Sequence, residues 1–145
     1  MKYLLDTNMV TYYLEGRPTV VERLEQTRPR SRYLCYITLG EIFHGIYHSA
    51  RFSRNLSRYR AFFKTVKTLP MTYPVAEHFG QLKADLQRKG ELIADHDLWI
   101  ASHAMAHRTT LVTANLADFA RINGLKLENW LTKKFSNRIF FSRWR

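Results

Sequence analysis

The chain has 145 residues, of which 46% are hydrophobic and 14% aromatic, enough for one folded domain with a substantial core. Its 23 Lys and Arg outnumber its 12 Asp and Glu, and the resulting net charge of +11 favours a polyanionic partner such as nucleic acid. No apolar run approaches the length of a membrane span, and Asp6 comes too early for a signal peptide, so we expect a cytoplasmic protein with no membrane partner. The single cysteine, Cys35, excludes an internal disulfide and a cysteine zinc cluster.

The spacing of apolar residues predicts strands that alternate with helices. A buried strand at residues 3–5 ends at Asp6 and precedes two short helices at residues 9–14 and 20–24. A strand at 33–37 follows, then helices on 38–47, 56–66, 75–86 and 98–105, and strands at 110–113 and 125–127. This alternation predicts an α/β fold in which helices flank a mostly parallel sheet of four to five short strands. Residues 1–131 form the predicted domain, and residues 132–145 a basic, aromatic carboxyl-terminal tail.

Basic residues are concentrated in a stretch that contains no acid, from Ile42 to Ala76. The apolar positions of its helical pattern, Leu56, Tyr59, Phe63 and Val66, are expected to turn inward. The candidate contacts to a polyanion on the solvent side are Arg51, Arg54, Arg58 and Lys64.

Acids lie at the junctions between predicted elements, and each has a structural explanation. Asp6 could cap the helix that follows it, because a short carboxylate accepts hydrogen bonds from free backbone N–H groups. Residues 38–41 match the capping box Thr-x-x-Glu, which for Glu41 alone is favoured over a functional role. Asp95 or Asp97 suits the positive end of a helix, and Asp118 suits a loop. Only the joint arrangement of these acids can favour a functional site.

Five short segments carry these acids or follow them, in order along nearly the whole chain. They are Tyr3-Leu-Leu-Asp-Thr-Asn8, Ile37-Thr-Leu-Gly-Glu-Ile-Phe-His-Gly45, Asp97-Leu-Trp-Ile-Ala-Ser-His-Ala104, Leu111-Val-Thr-Ala-Asn-Leu-Ala-Asp-Phe119 and Gly124-Leu-Lys-Leu-Glu-Asn-Trp130. Together they resemble the PIN-domain nucleases, and within them the VapC-type toxins of bacterial toxin–antitoxin pairs. The resemblance implies a compact parallel sheet flanked by helices, with an acidic pocket that binds Mg²⁺ or Mn²⁺ and hydrolyses RNA.

By position, the resemblance implies that Asp6, Glu41 and Asp97 are the three core acids. Asp6 and Asp97 are then the direct metal ligands. Glu41 is a further ligand or orients the attacking water.

The fourth acid of the site is less directly matched. Many relatives carry an acid where this chain has Ala114, so Asp118 is the expected substitute and Asp95 the alternative, and the number of metal ions stays open. The expected supporting residues are Thr7, Asn8, Thr113 and Asn115.

The resemblance also implies an RNA substrate, a small antitoxin that inhibits the protein in a heteromeric complex, and a homodimer of toxin protomers. A PIN-like module that binds RNA without cleaving it is the alternative. A phosphatase with Asp6 as nucleophile is disfavoured, because no second aspartate stands two residues on. The histidine pairs His44/His48 and His103/His107 have zinc-like spacing but lack the glutamate of His-Glu-x-x-His, so packing or surface roles are expected.

Overall fold

Five strands pair into one sheet in the computed structural model, which describes residues 1–132. They are β1 (Tyr3–Leu5), β2 (Arg32–Cys35), β3 (Lys67–Leu69), β4 (Thr110–Val112) and β5 (Leu127–Glu128). Their order across the sheet is β3-β2-β1-β4-β5, and every neighbouring pair is parallel. The predicted α/β class with a parallel sheet is therefore confirmed.

Helices connect the strands and cover both faces of the sheet. They are α1 (Thr7–Leu14), α2 (Pro18–Glu25), α3 (Tyr36–His48), α4 (Phe52–Phe63), α5 (Tyr73–Lys89), α6 (Asp95–Ala106) and α7 (Leu116–Phe119). Successive strand residues face opposite sides, so Leu4 packs in the core beneath α5 and α6, and Leu5 in the core beneath α1 to α4. Burial on both faces explains why the central strands read as short apolar runs rather than as alternating patterns.

The central strand β1 fixes where polar groups collect. Because β1 lies between β2 and β4, the residues that follow these three strands meet at one edge of the sheet. The backbone N–H of Asp6 donates to the carbonyl of Val112 at 3.0 Å, and the N–H of Thr113 donates to the carbonyl of Glu128 at 2.9 Å. Asp6 and Thr113 therefore lie side by side, as their positions after predicted strands indicated.

The start of α3 differs from the prediction. The strand predicted at residues 33–37 ends at Cys35, and α3 begins at Tyr36, two residues before the predicted start at Thr38. Cys35 is the N-cap residue and its side chain makes no capping hydrogen bond, while Thr38 is buried inside the first turn. The capping-box interpretation of Glu41 is therefore wrong. A short apolar run such as Tyr36-Ile37 suits a strand and a buried helix equally well, and periodicity could not separate them.

Two strands were missed or displaced in the sequence prediction. Lys67–Leu69 forms the edge strand β3. The sequence pattern did not predict it, because it has only three residues and closely follows a helix. The last strand covers Leu127–Glu128 rather than residues 125–127. Except for Thr132, the predicted tail at 132–145 lies outside the described residues. No helix within residues 1–132 is both long and apolar enough to cross a membrane.

Candidate functional site

Asp6 stands where β1 passes into α1, and its carboxylate is almost enclosed, with 8% of the residue exposed. Its Oδ1 accepts from the Thr7 backbone N–H and its Oδ2 from the Thr113 hydroxyl, both at 2.8 Å. Burial raises the pKa of Asp6 and the charge of Glu41 raises it further, against the hydrogen bonds from Thr113 and Thr7 and the charge of His96. Asp6 is thus a helix cap and, at the same time, an energetically unfavourable buried charge.

Glu41 reaches this group from the second turn of α3. Its Oε1 accepts a hydrogen bond of 2.6 Å from the Thr7 hydroxyl, which ties α3 to the first residue of α1. Its Oε2 lies 3.5 Å from Nε2 of His96, and the side chain is one-third exposed, at 33%. One oxygen is therefore held by the protein, and the other remains available at the surface of the site.

Asp97 comes from the first turn of α6, and only 14% of its side chain is exposed. Burial raises its pKa; His96 opposes this rise, and the charges of Asp6, Glu41 and Asp118 add to it. Asp97 therefore interacts electrostatically with acids contributed by three other parts of the fold. Asp6, Glu41, Asp97 and Asp118 are therefore close enough for their charges to interact.

His96 was absent from the predicted site residues. Its Nε2 lies 3.5 Å from Glu41 and 3.4 Å from Oδ1 of Asp97, so the imidazole stands between these two carboxylates. Its place between Asp95 and Asp97 at a predicted helix start was the only signal in the sequence that could have found it.

Asp118 and Asp95 have different surroundings. Asp118, in α7, accepts a hydrogen bond of 3.3 Å from the Asn115 side-chain amide and lies 3.7 Å from the guanidinium of Arg121. The Asp95 carboxylate is 60% exposed and pairs with Nζ of Lys83 at 3.0 Å. Both acids therefore have a basic neighbour, but Asp118 is one of the charges that raise the pKa of Asp97 and Asp95 is not.

The turn after β4 is tied to the site through a buried hydroxyl. Thr113 is fully buried; its Oγ1 donates to Asp6 and accepts from the backbone N–H of Asn115 at 3.0 Å. Thr7, Thr113 and Asn115 therefore each contact an acid or its partner. Asn8 is exposed, and no hydrogen bond joins it to the acids within the described residues.

The basic surface differs in detail from the prediction. Arg51, Arg54, Arg58 and Lys64 are all exposed, but the guanidinium of Arg58 donates to the Leu14 carbonyl at 2.5 Å and is less free than predicted. The one fully buried residue of α4 is Phe62, which the predicted stripe omitted.

Neither histidine pair joins the acids. His44 and His48 stack with ring centroids 5.9 Å apart, and His103 is buried with Nδ1 2.7 Å from the Trp99 carbonyl. Within residues 1–132, no three His, Cys, Asp or Glu side chains are arranged to hold one metal ion between them.

Comparison with known proteins identifies the family. The model of the PIN domain matches residues 3–125. Ribonuclease VapC2 of Haemophilus influenzae is 35% identical over 133 residues, which cover 90% of this chain and 99% of that protein.

Solved structures agree with this match. VapBC2 from Rickettsia felis, bound to a DNA fragment from its promoter, matches at a TM-score of 0.84 and 33% identity, covering 90% of this chain and 99% of that one. A toxin–antitoxin complex from Klebsiella pneumoniae matches at a TM-score of 0.68 and 27% identity, covering 86% and 95%. Since the family model spans most of the chain and the VapC relative is matched along nearly its whole length, this chain belongs to the PIN domain family, within its VapC group.

Proposed function

We propose that the chain is a metal-dependent endoribonuclease, the toxin of a toxin–antitoxin pair, with Mg²⁺ as its ion and Mn²⁺ as an effective substitute. One observation carries the proposal: Asp97 is largely buried, which raises its pKa, and the charges of Asp6, Glu41 and Asp118, acids that three separate parts of the fold bring to it, raise that pKa further. Charges that oppose one another destabilise the fold, so their convergence calls for a functional reason.

The charge of the whole protein supports the same conclusion. A net charge of +11 attracts a polyanion, yet a cluster of carboxylates repels each phosphate that approaches it. A divalent cation between the carboxylates and the phosphate reconciles the two. When bound, it supplies positive charge to the phosphoryl oxygens and acidifies water.

The donor set suits such an ion. Mg²⁺ prefers oxygen ligands, keeps several waters and needs only one or two carboxylates, so a site without three converging side chains is adequate. Asp6 and Asp97 are the residues that would hold it, since both are largely buried and their raised pKa values fall when a cation is near.

The other residues orient the reactants. Thr7 fixes one oxygen of Glu41, so the other oxygen, Oε2, which lies beside His96, can accept a proton from the attacking water. Asp118, which accepts a hydrogen bond from Asn115, would hold a second ion or a water molecule. Attack by water then leaves a 5′-phosphate and a 3′-hydroxyl on the cleaved RNA.

The partners follow from the relatives. The named ribonuclease VapC2 supports an RNA substrate, and the toxin–antitoxin and VapBC complexes support a small antitoxin as heteromeric partner. We extend both to this chain, together with a homodimer of toxin protomers.

The test uses two aspartates in the same helical turn. Asp97→Asn should fold and lose more than about 100-fold of the RNA cleavage rate in Mg²⁺, because it removes a charged ligand without changing shape. Asp95→Asn is the matched control and should cleave at the wild-type rate, since Asp95 pairs with Lys83.

Cleavage is followed on a labelled RNA in Mg²⁺, in Mn²⁺ and in EDTA. Wild-type rates for Asp97→Asn would show that the ligand assignment is wrong. RNA binding by the wild type without cleavage in either metal would instead identify a PIN-like module that binds RNA and no longer cuts it.

A further inference from the structure

A cavity of about 200 Å³ opens directly beside the acidic site, between α1, α3 and α4. Glu41 and Thr7 belong both to its lining and to the site, so whatever occupies the cavity lies next to the acids. Ile42 and Ile46 form its apolar floor. This volume is smaller than that of a pocket for a drug-sized ligand and suits a group of about the size of one nucleoside.

The polar groups of the lining leave acceptors for a ligand. Thr11 Oγ1 donates to the Thr7 carbonyl at 3.3 Å and lies 3.2 Å from Tyr59 Oη, so the Tyr59 hydroxyl donates to Thr11 and keeps its own lone pairs. The amide nitrogen of Asn55 donates to Ser49 Oγ at 3.1 Å, and no group of residues 1–132 donates to its Oδ1. A base edge that carries N–H donors matches these two acceptors.

Gly45 keeps the cavity open. It lies in the middle of α3, one turn after Glu41, where glycine is the least favourable residue except proline. Its φ is not positive, and a Cβ built there meets no heavy atom within 4 Å, so neither the backbone nor the packing of the described residues requires glycine. A side chain at this position would enter the cavity instead.

We propose that this cavity is a nucleoside subsite, which takes the base of a nucleotide adjacent to the phosphate at the acids and accepts hydrogen bonds from its N–H groups. The inference rests on the proposed nuclease function. RNA is favoured over a basic peptide because Arg51 and Arg54, at the start of the helix that carries Asn55, are exposed and form no ion pair within residues 1–132. Those two charges attract phosphates and repel a cationic segment.

The test fills the cavity without disturbing the acids. Gly45→Ala and Gly45→Leu should melt no lower than wild type, because both residues favour helix over glycine and space is available. With a short single-stranded RNA that carries the mapped cut site, Gly45→Leu should raise KM by about tenfold, a typical loss for one base contact. The effect on kcat should be smaller, since the subsite binds ground state and transition state alike.

Gly80 provides the matched control. It also lies inside a helix, α5, with no heavy atom within 4 Å of a built Cβ, but outside the cavity. Gly80→Ala and Gly80→Leu should leave KM unchanged.

An abasic nucleotide at each position around the cut site then locates the base. At one position the abasic nucleotide should raise the KM of the wild type about as much as Gly45→Leu does. The abasic nucleotide and Gly45→Leu together should then raise KM no more than either change alone. The subsite alone would be overturned if the KM effects of Gly45→Leu and of the abasic nucleotide were fully additive at every position. It would also be overturned if Gly45→Leu left KM unchanged while the wild type was active, or if Gly45→Leu weakened only the binding of the antitoxin. A wild type that never cleaves RNA in Mg²⁺ or Mn²⁺ would overturn the nuclease proposal and the subsite with it.

Discussion

Asp6 is both a helix cap and a site carboxylate, and the substitution Asp6→Asn separates these two roles. Asparagine caps a helix about as well as aspartate, so the bond from the Thr7 N–H can persist, while the amide group that replaces Oδ2 can donate to Thr113 Oγ1, whose own hydrogen then loses its acceptor. The substitution removes a buried charge whose pKa is raised by burial and by Glu41. Because a raised pKa means that the ionised form is disfavoured by folding, Asp6→Asn in EDTA at pH 7 should melt at or above the wild-type temperature.

Added Mg²⁺ should reverse this order. An ion present at a hundred times its Kd stabilises the folded state by about 2.7 kcal/mol, which is about 10 °C in melting temperature for a domain of this size. Loss of one charged ligand that weakens Kd tenfold would remove about 1.4 kcal/mol, or about half of that shift. The wild type should therefore gain about 5 °C more from Mg²⁺ than Asp6→Asn does.

Thermal melting in EDTA and at graded Mg²⁺ concentrations measures both effects. Asp6→Ala is the control for the cap, because it loses the bond to Thr7 and leaves the buried Thr113 hydroxyl with no hydrogen bond of either direction to residue 6. It should melt well below Asp6→Asn in EDTA, by about 4 °C for each kcal/mol lost. If Asp6→Asn itself melted several degrees below wild type in EDTA, the cap would outweigh the charge and our reasoning would be refuted. If Mg²⁺ raised the melting temperatures of wild type and Asp6→Asn equally, Asp6 would not be a metal ligand.

The salt dependence of RNA binding and the stability in acid depend on two other sets of residues. Arg51→Gln with Arg54→Gln, in a cleavage-dead background, should reduce the salt slope of RNA binding by about 1.4, at about 0.7 per phosphate contact on single strands. The control variant, Arg28→Gln with Arg30→Gln before β2, should leave the salt slope unchanged. If the two double variants had equal salt slopes, the RNA would not bind at Arg51 and Arg54. Burial lowers the pKa of His103, so its protonation favours the unfolded chain and stability is lost as the pH falls below about 6.5. In denaturant unfolding, the free energy of unfolding of His103→Leu should rise relative to that of the wild type between pH 7 and pH 5. A difference in unfolding free energy that stayed constant over this range would contradict the prediction.

The part of the site that follows from strand order could be predicted from sequence. Tyr3-Leu4-Leu5 ends at an acid, and residues 110–113 end at a threonine and precede a polar turn. Parallel strands place such carboxyl ends at one edge, so the contact between Asp6 and Thr113 needed no knowledge of side-chain packing. This inference depends only on which residues follow a strand, and an error of one or two residues in the strand bounds does not change it.

The contacts made by helices were harder to predict. Whether Glu41 caps its own helix or reaches α1 depends on whether α3 begins at Tyr36 or Thr38, and the local pattern suits both starts. The place of His96 between Glu41 and Asp97 depends on how α6 is turned against α3, which is set by packing across the core. Periodicity identifies a helix and its apolar face, but not the neighbour that each polar residue meets.

Three residues that oppose folding lie at the acids or at the cavity beside them. Asp6 and Asp97 carry charges that burial and their neighbours disfavour, and Gly45 weakens a helix where no contact of the described residues requires glycine. Each has a substitute that folding would prefer, Asn for the acids and Ala for the glycine. All three adjoin the same site or the cavity beside it, whereas the cores under the sheet are apolar and well enclosed. Stability alone would favour neutral residues in place of Asp6 and Asp97, so their position supports the proposed metal site. Glycines with open space around them also occur elsewhere, at Gly40 and Gly80, so the role of Gly45 depends on its place in the lining of the cavity.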